Sequence, residues 1–151
     1  MKLSHLLRSA LLCTMLALPL SAYEGWMTDV TAARAKAAAE GKQLVLEFTG
    51  STWCPPCKAL HAEVLTSAEF AAYAADKVLA LVDYPRAKDR TPEKIAADPE
   101  LARLIALKDE YKVPGFPTMF VFDAKGQELA KVVGYEKGSG PAAYLAELTK
   151  Q

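Results

Sequence analysis

Apolar residues fall into two kinds of run along this chain. Short, nearly continuous runs at Gln43–Thr49 (QLVLEFT) and Lys77–Asp83 (KVLALVD) read as buried strands. Thr118–Asp123 (TMFVFD) is a third strand, and Glu128–Val133 is its partner across a hairpin turn at Asp123-Ala124-Lys125-Gly126. Between these lie stretches with helical start and stop signals. Alanine-rich Thr31–Glu40 is a helix that Thr28 or Asp29 would cap and Gly41 would end. Thr66 with Glu69 three residues on forms a capping box for a short helix. Thr91-Pro92 and Asp98-Pro99 each pair a capping residue with a proline, so two helical pieces are predicted between Pro92 and Tyr111. A last helix runs from Pro141 to about Lys150. Gly50 and Ser51 break the first strand, and helix-compatible sequence then follows Trp53-Cys54-Pro55-Pro56-Cys57-Lys58 as far as about Val64. The order α, β, α, β, α, β, β, α calls for an α/β fold with a central mixed sheet covered on both faces.

Length and charge narrow this picture. A chain of 151 residues forms one packed domain rather than two. Its 18 basic and 18 acidic side chains balance, which leaves no basic surplus for nucleic acid. The first 22 residues differ from the rest. Lys2, His5 and Arg8 precede an apolar run from Ala10 to Leu18, then Pro19, then Ser21-Ala22. This is the layout of a secretory signal with cleavage after Ala22, and the run is too short to span a bilayer, which takes about 20 residues. The expected division is residues 1–22 as signal and 23–151 as the one folded domain. Leu12 stands before Cys13 where a lipoprotein site would have a small residue. Cleavage removes two basic residues and Cys13, so Cys54 and Cys57 become the only cysteines of a chain two charges negative. In an oxidising compartment a structural disulfide gains most by closing a long loop; a pair three positions apart closes almost none, so its chemistry explains it better.

The prolines after Cys54 fit the first turn of a helix, which sets the motif at a helix N-terminus. Unpaired N–H groups and the helix dipole there favour negative charge, and the thiolate is the reactive form of cysteine. An ordinary thiol pKa of about 8.5 falls in such motifs. Cys54, on the outer side, is the nucleophile, and Cys57, one turn on, resolves the mixed disulfide.

Trp53-Cys54-Pro55-Pro56-Cys57-Lys58 resembles the W-C-x-P-C-K site of thioredoxins, and Gly115-Phe116-Pro117-Thr118 resembles their G-x-P-T loop. Gly134 matches a family glycine that leaves room for substrate. The longer phrase FTGSTWCPPCKALHAEV resembles a branch of exported bacterial thioredoxin-like proteins. The resemblance covers about Gln43 to Gln151. It implies a thioredoxin fold, here with a helical insertion before the cis-proline strand, and thiol–disulfide exchange with protein substrates without a bound cofactor. It implies a cis bond before Pro117 and main-chain contact between Phe116 and substrate, beside Trp53, Pro55, Pro56, Pro117 and Gly134. It also implies electrons from a membrane thiol donor, and a periplasmic or secreted monomer.

The family carries a buried acid on the strand before the motif as a proton relay, and Glu47-Phe48 lies there. The acid here is Glu, one extra residue separates it from Trp53, and the family's partner lysine is absent, its position falling near Leu79. Glu47 therefore reads as a proton relay with a raised pKa, against a strand-edge glutamate facing solvent. His61 could join both cysteines around a metal, but the only other histidine, His5, is in the signal, so no metal is expected. Trp53 reads as a platform beside the site and Lys58 as a solvated cation.

Pro55-Pro56 supplies neither charge nor side-chain donor to a thiolate, and Pro56 removes an N–H. The reduced form is stabilised less, which points to a reductant. The alternative is a binding module, inert or metal-delivering. Tyr84–Leu107 is longer than a minimal thioredoxin allows and reads as a solvated helical insertion rather than a lid.

Overall fold

A computed structural model describes residues 23–150; the expected signal, with Cys13 and its cleavage point after Ala22, lies outside them. The first helix, α1 (Val30–Glu40), is capped by Asp29, whose Oδ1 accepts from the Ala32 N–H at 3.0 Å, and ends at Gly41 with φ +65°. Strand β1 (Leu44–Thr49) leads to the motif and α2 (Pro55–Leu60), which passes directly into a π-turn at His61–Leu65. Then come α3 (Ala68–Ala74), β2 (Val78–Asp83), a 3-10 turn at Ala87–Asp89, α4 (Pro92–Ala97) and α5 (Pro99–Glu110). Strands β3 (Thr118–Phe122) and β4 (Glu128–Val133) form the hairpin, and α6 (Gly140–Leu148) follows. The sheet order is β2-β1-β3-β4, with β1 parallel to β2 and the other pairings antiparallel.

Most expected elements are present, with two differences. Ser67, not Thr66, caps α3, its Oγ accepting from Phe70 N at 3.1 Å. Thr66 is unavailable because its hydroxyl donates to the Ala62 carbonyl at 2.9 Å and its N–H closes the π-turn onto His61 at 3.3 Å. The second concerns the insertion. Helix α4 buries no residue, as expected of a solvated piece, but α5 buries Leu101 and Leu107.

Strand alternation splits β1 between two cores. Leu44, Leu46 and Phe48 pack with Val30, Ala33 and Ala37 of α1, Val78, Ala80 and Val82 of β2, and Leu107 of α5. Val45 faces the other way, with Leu60, Val64 and Leu65, Phe70, Met119, Tyr144 and Leu148. Glu47 and Thr49 share the parity of Val45, so the polar positions of β1 fall on the side that α2 covers.

Candidate active site

The motif is built on the end of β1. Gly50 lets the chain turn closely under Trp53; a Cβ there would meet the indole at 2.5 Å. Three contacts hold the turn to the segment after β2. Ser51 donates to Asp83 through N–H (2.9 Å) and Oγ (2.5 Å), Trp53 Nε1 donates to the Tyr84 carbonyl (2.7 Å), and Arg86 to the Thr52 carbonyl (3.2 Å). Cys54 is the N-cap of α2, with Pro55 exposed and Pro56 half-buried in its first turn.

Cys54 and Cys57 form a disulfide with Cα atoms 5.2 Å apart, and both are almost wholly buried. Cys54 Sγ accepts from the Cys57 N–H at 3.3 Å. Residues 55 and 56 are prolines and have no N–H to add, so this is the one first-turn amide directed at the sulfur. The Phe116–Pro117 peptide bond is cis, as expected. The Phe116 carbonyl oxygen lies 3.7 Å from Cys54 Sγ, and Pro117 is buried. Gly134 donates its N–H to the Pro117 carbonyl at 2.7 Å and has φ +81° with open space where a Cβ would be. Its backbone requires glycine, and the space in front of it is free.

Trp53 is half-buried and meets Phe116 edge-on with centroids 5.7 Å apart. Tyr84, the first residue of the stretch expected to be a solvated insertion, is buried and stacks on Phe116 at 5.1 Å, with the Arg90 guanidinium 4.8 Å from its own ring. The start of the insertion is thus part of the site wall. No periodicity marks Tyr84; its only sequence signal is an aromatic at the end of a strand neighbouring the motif.

Glu47 is completely buried on a central strand, which excludes the strand-edge reading. Its Oε1 accepts from the Tyr23 hydroxyl at 3.3 Å, while Oε2 has no partner among the described residues. Burial pushes its pKa up to about 7, against the Tyr23 hydrogen bond, which favours the carboxylate. The strand register sets Leu81, not Leu79, beside Glu47, so the cross-strand neighbour is apolar in either case. The Tyr23 ring also meets the His61 ring at a tilt of 51°, with centroids 4.9 Å apart. A cleft of about 260 Å³ is lined by Tyr23, Ser51, Cys57, Lys58 and His61. His61 is half-buried, which depresses its pKa, and Lys58 is exposed. Among the described residues no cluster of three His, Cys, Asp or Glu side chains is placed to hold a metal ion.

A disulfide at a helix start, faced by a cis-proline and set at the end of a central strand of a mixed sheet, defines a class of protein. The chain belongs to the thioredoxin-like family, whose domain model matches residues 30–149. It is similar to the disulfide bond reductase DsbH of Chlamydia pneumoniae, 36% identical over 108 residues, which make up 71% of this chain and 60% of that protein. The chain therefore spans about three-fifths of that relative's length. A solved DsbH oxidoreductase superposes with a TM-score of 0.63 at 31% identity, covering 80% of this chain and 78% of its own. A thioredoxin from Thermus thermophilus superposes with a TM-score of 0.57 at 25% identity, covering 82% of each chain.

Proposed function

We propose that the protein is a thiol–disulfide oxidoreductase that reduces disulfides of exported proteins. The observation that carries this reading is the Cys54–Cys57 disulfide at the head of α2 facing the Phe116 carbonyl. In the reduced protein the Cys54 thiolate attacks a substrate disulfide. A mixed disulfide forms and one substrate sulfur leaves as thiolate. Cys57 gives its proton to Glu47 and attacks Cys54 Sγ, which releases the second substrate sulfur. Two electrons have then passed to the substrate, and the Cys54–Cys57 disulfide is restored. Trp53, Pro55, Pro56, Phe116, Pro117 and Gly134 form the wall against which an extended substrate segment lies, with Phe116 offering main-chain atoms.

Reduction is favoured over oxidation because the Cys54 thiolate has so little to hold it. One backbone N–H reaches the sulfur where a helix start without prolines offers more. A less stabilised dithiol is a stronger reductant, by about 30 mV for each 1.4 kcal/mol. A potential above roughly −150 mV, near the strong oxidants of the periplasm, overturns this direction.

The reading includes export, with cleavage after Ala22, action as a monomer in the periplasm or outside the cell, and re-reduction by a membrane dithiol donor. The sequence layout of residues 1–22 supports export, and no described helix is long and apolar enough to cross a membrane. A chemical dithiol replaces the donor in the test. Cys54→Ala abolishes insulin reduction, while Cys57→Ala accumulates mixed disulfides with its clients. Undiminished turnover by Cys54→Ala would overturn the reading.

A further inference from the structure

Tyr23 lies outside the stretch matched by the family model, yet it is built into the site. The segment that bears it is fixed at two points. Met27 pairs with the edge of β2 through Met27 N to Leu79 O and Leu81 N to Met27 O, both 2.9 Å. Trp26 stacks parallel on Phe70 at 6.1 Å and meets the Tyr23 ring edge-on at 5.6 Å. Tyr23 is thereby held where it meets both halves of the site. Its hydroxyl is bonded to Glu47, and it lines the same cleft as Cys57. Glu47 itself is not part of that lining.

We propose that Tyr23 is the positioning residue that couples Glu47 to the Cys57 cleft during the resolving step. The proton leaving Cys57 Sγ ends on Glu47 Oε1 by way of the Tyr23 hydroxyl, whose oxygen takes one proton as it gives its own to the carboxylate. Cys57 becomes a thiolate, Glu47 a neutral acid, and Tyr23 is unchanged. No redox change accompanies the transfer. This rests on the thiol–disulfide reading and on Glu47 as proton acceptor.

Two features suit Tyr23 to the task. Burial and the charge of Glu47 hold its phenol well above the ordinary range, so it stays a donor at neutral pH. The Tyr23 hydroxyl is the donor that the described residues bring to Glu47 Oε1, so it directs that side of the carboxylate. The charged and titratable groups around the pair are Asp83 at the end of β2, Lys58 and His61 on the Cys57 helix, and Tyr144 of α6, itself buried and held neutral.

Tyr23→Phe removes the hydroxyl and keeps the ring against Trp26 and His61. In single-turnover reduction of a peptide disulfide, formation of the mixed disulfide by Cys54 stays at the wild-type rate. Its resolution by Cys57 falls about tenfold at pH 7. The Glu47 carboxyl, followed by carbon-13 NMR in the oxidised protein, titrates about one pH unit higher, since a hydrogen bond to the ionised form is lost. A merely structural role would slow both steps or neither. A wild-type resolving rate in Tyr23→Phe overturns the proposal, as does an unmoved Glu47 titration. A wild-type resolving rate in Glu47→Gln also overturns it, by removing the acceptor, and leaves disulfide exchange standing. Retained activity in Cys54→Ala is the separate failure of the exchange reading.

Discussion

The two faces of β1 come from the same six residues and have opposite characters. Leu44, Leu46 and Phe48 enter a core whose fully buried side chains are all hydrocarbon, against α1 and α5. Across the strand, Val45, Glu47 and Thr49 face α2 and α6, and Glu47 Oε2, Thr49 Oγ1 and Tyr144 Oη are buried without partners among the described residues. Each such atom works against folding, by about 1–3 kcal/mol when nothing relieves it. One face carries the stability, while the other gives some up to keep the ionisable Glu47 buried on the side of the sheet that α2 covers.

The most forceful way to break that division is on the hydrocarbon side. Phe48 is fully buried, and Phe48→Ala should remove about 3–5 kcal/mol of unfolding free energy in urea. The folded fraction should keep the wild-type pH profile of disulfide exchange. A displaced profile would show that the faces are not separable.

A somewhat smaller effect is expected from pH on the polar side. Glu47 titrates near its ordinary 4.5 when unfolded and at about 7 when folded. Its folded pKa is raised, so the unfolded chain releases this proton first. The stability contributed by Glu47 is fully present below about 4.5 and is lost as pH rises to about 7, by roughly 3 kcal/mol. Denaturation midpoints at pH 5 and pH 8 should differ accordingly in the wild type and converge in Glu47→Gln. Equal slopes in the two proteins would place the pH dependence elsewhere.

The smallest test sharpens the assignment of α1 to stability alone. Asp29→Ala removes the N-cap and should lower stability by about 1 kcal/mol, with insulin reduction per folded molecule unchanged. A loss of activity would mean that α1 carries more than the core.

The sequence shows much of this division and hides the rest for identifiable reasons. Strands β1 to β4 are legible because their apolar runs are short and bounded by turn residues. The helix starts at Asp29, Thr91 and Asp98 are legible because a cap is a local interaction. Cys54 and Cys57 are legible because their spacing is chemical. Glu47 could be located but not oriented: whether it faced solvent depended on β1 being central, and sheet order is not a local property. Register decided its neighbour in the same way, giving Leu81 where spacing suggested Leu79. Tyr23 was missed altogether, because its partner is 24 positions away and no motif contains it. Tyr84 was missed because its partner Phe116 lies across the insertion.

The π-turn at His61–Leu65 has a consequence for how the helix after the cysteines is addressed. In an α-helix each residue advances by about 100°, so a position's direction follows from its number. The wider turn resets that count partway along, as a π-bulge does. Cys57 and, at the first position of the turn, His61 both line the cleft. Leu60 just before the turn and the adjacent residues Val64 and Leu65 at its end are all core. The wider turn thus lets two consecutive positions face the sheet on an element whose other side borders the disulfide. A change of a single residue in the length of this turn would re-aim that buried pair, without touching either cysteine.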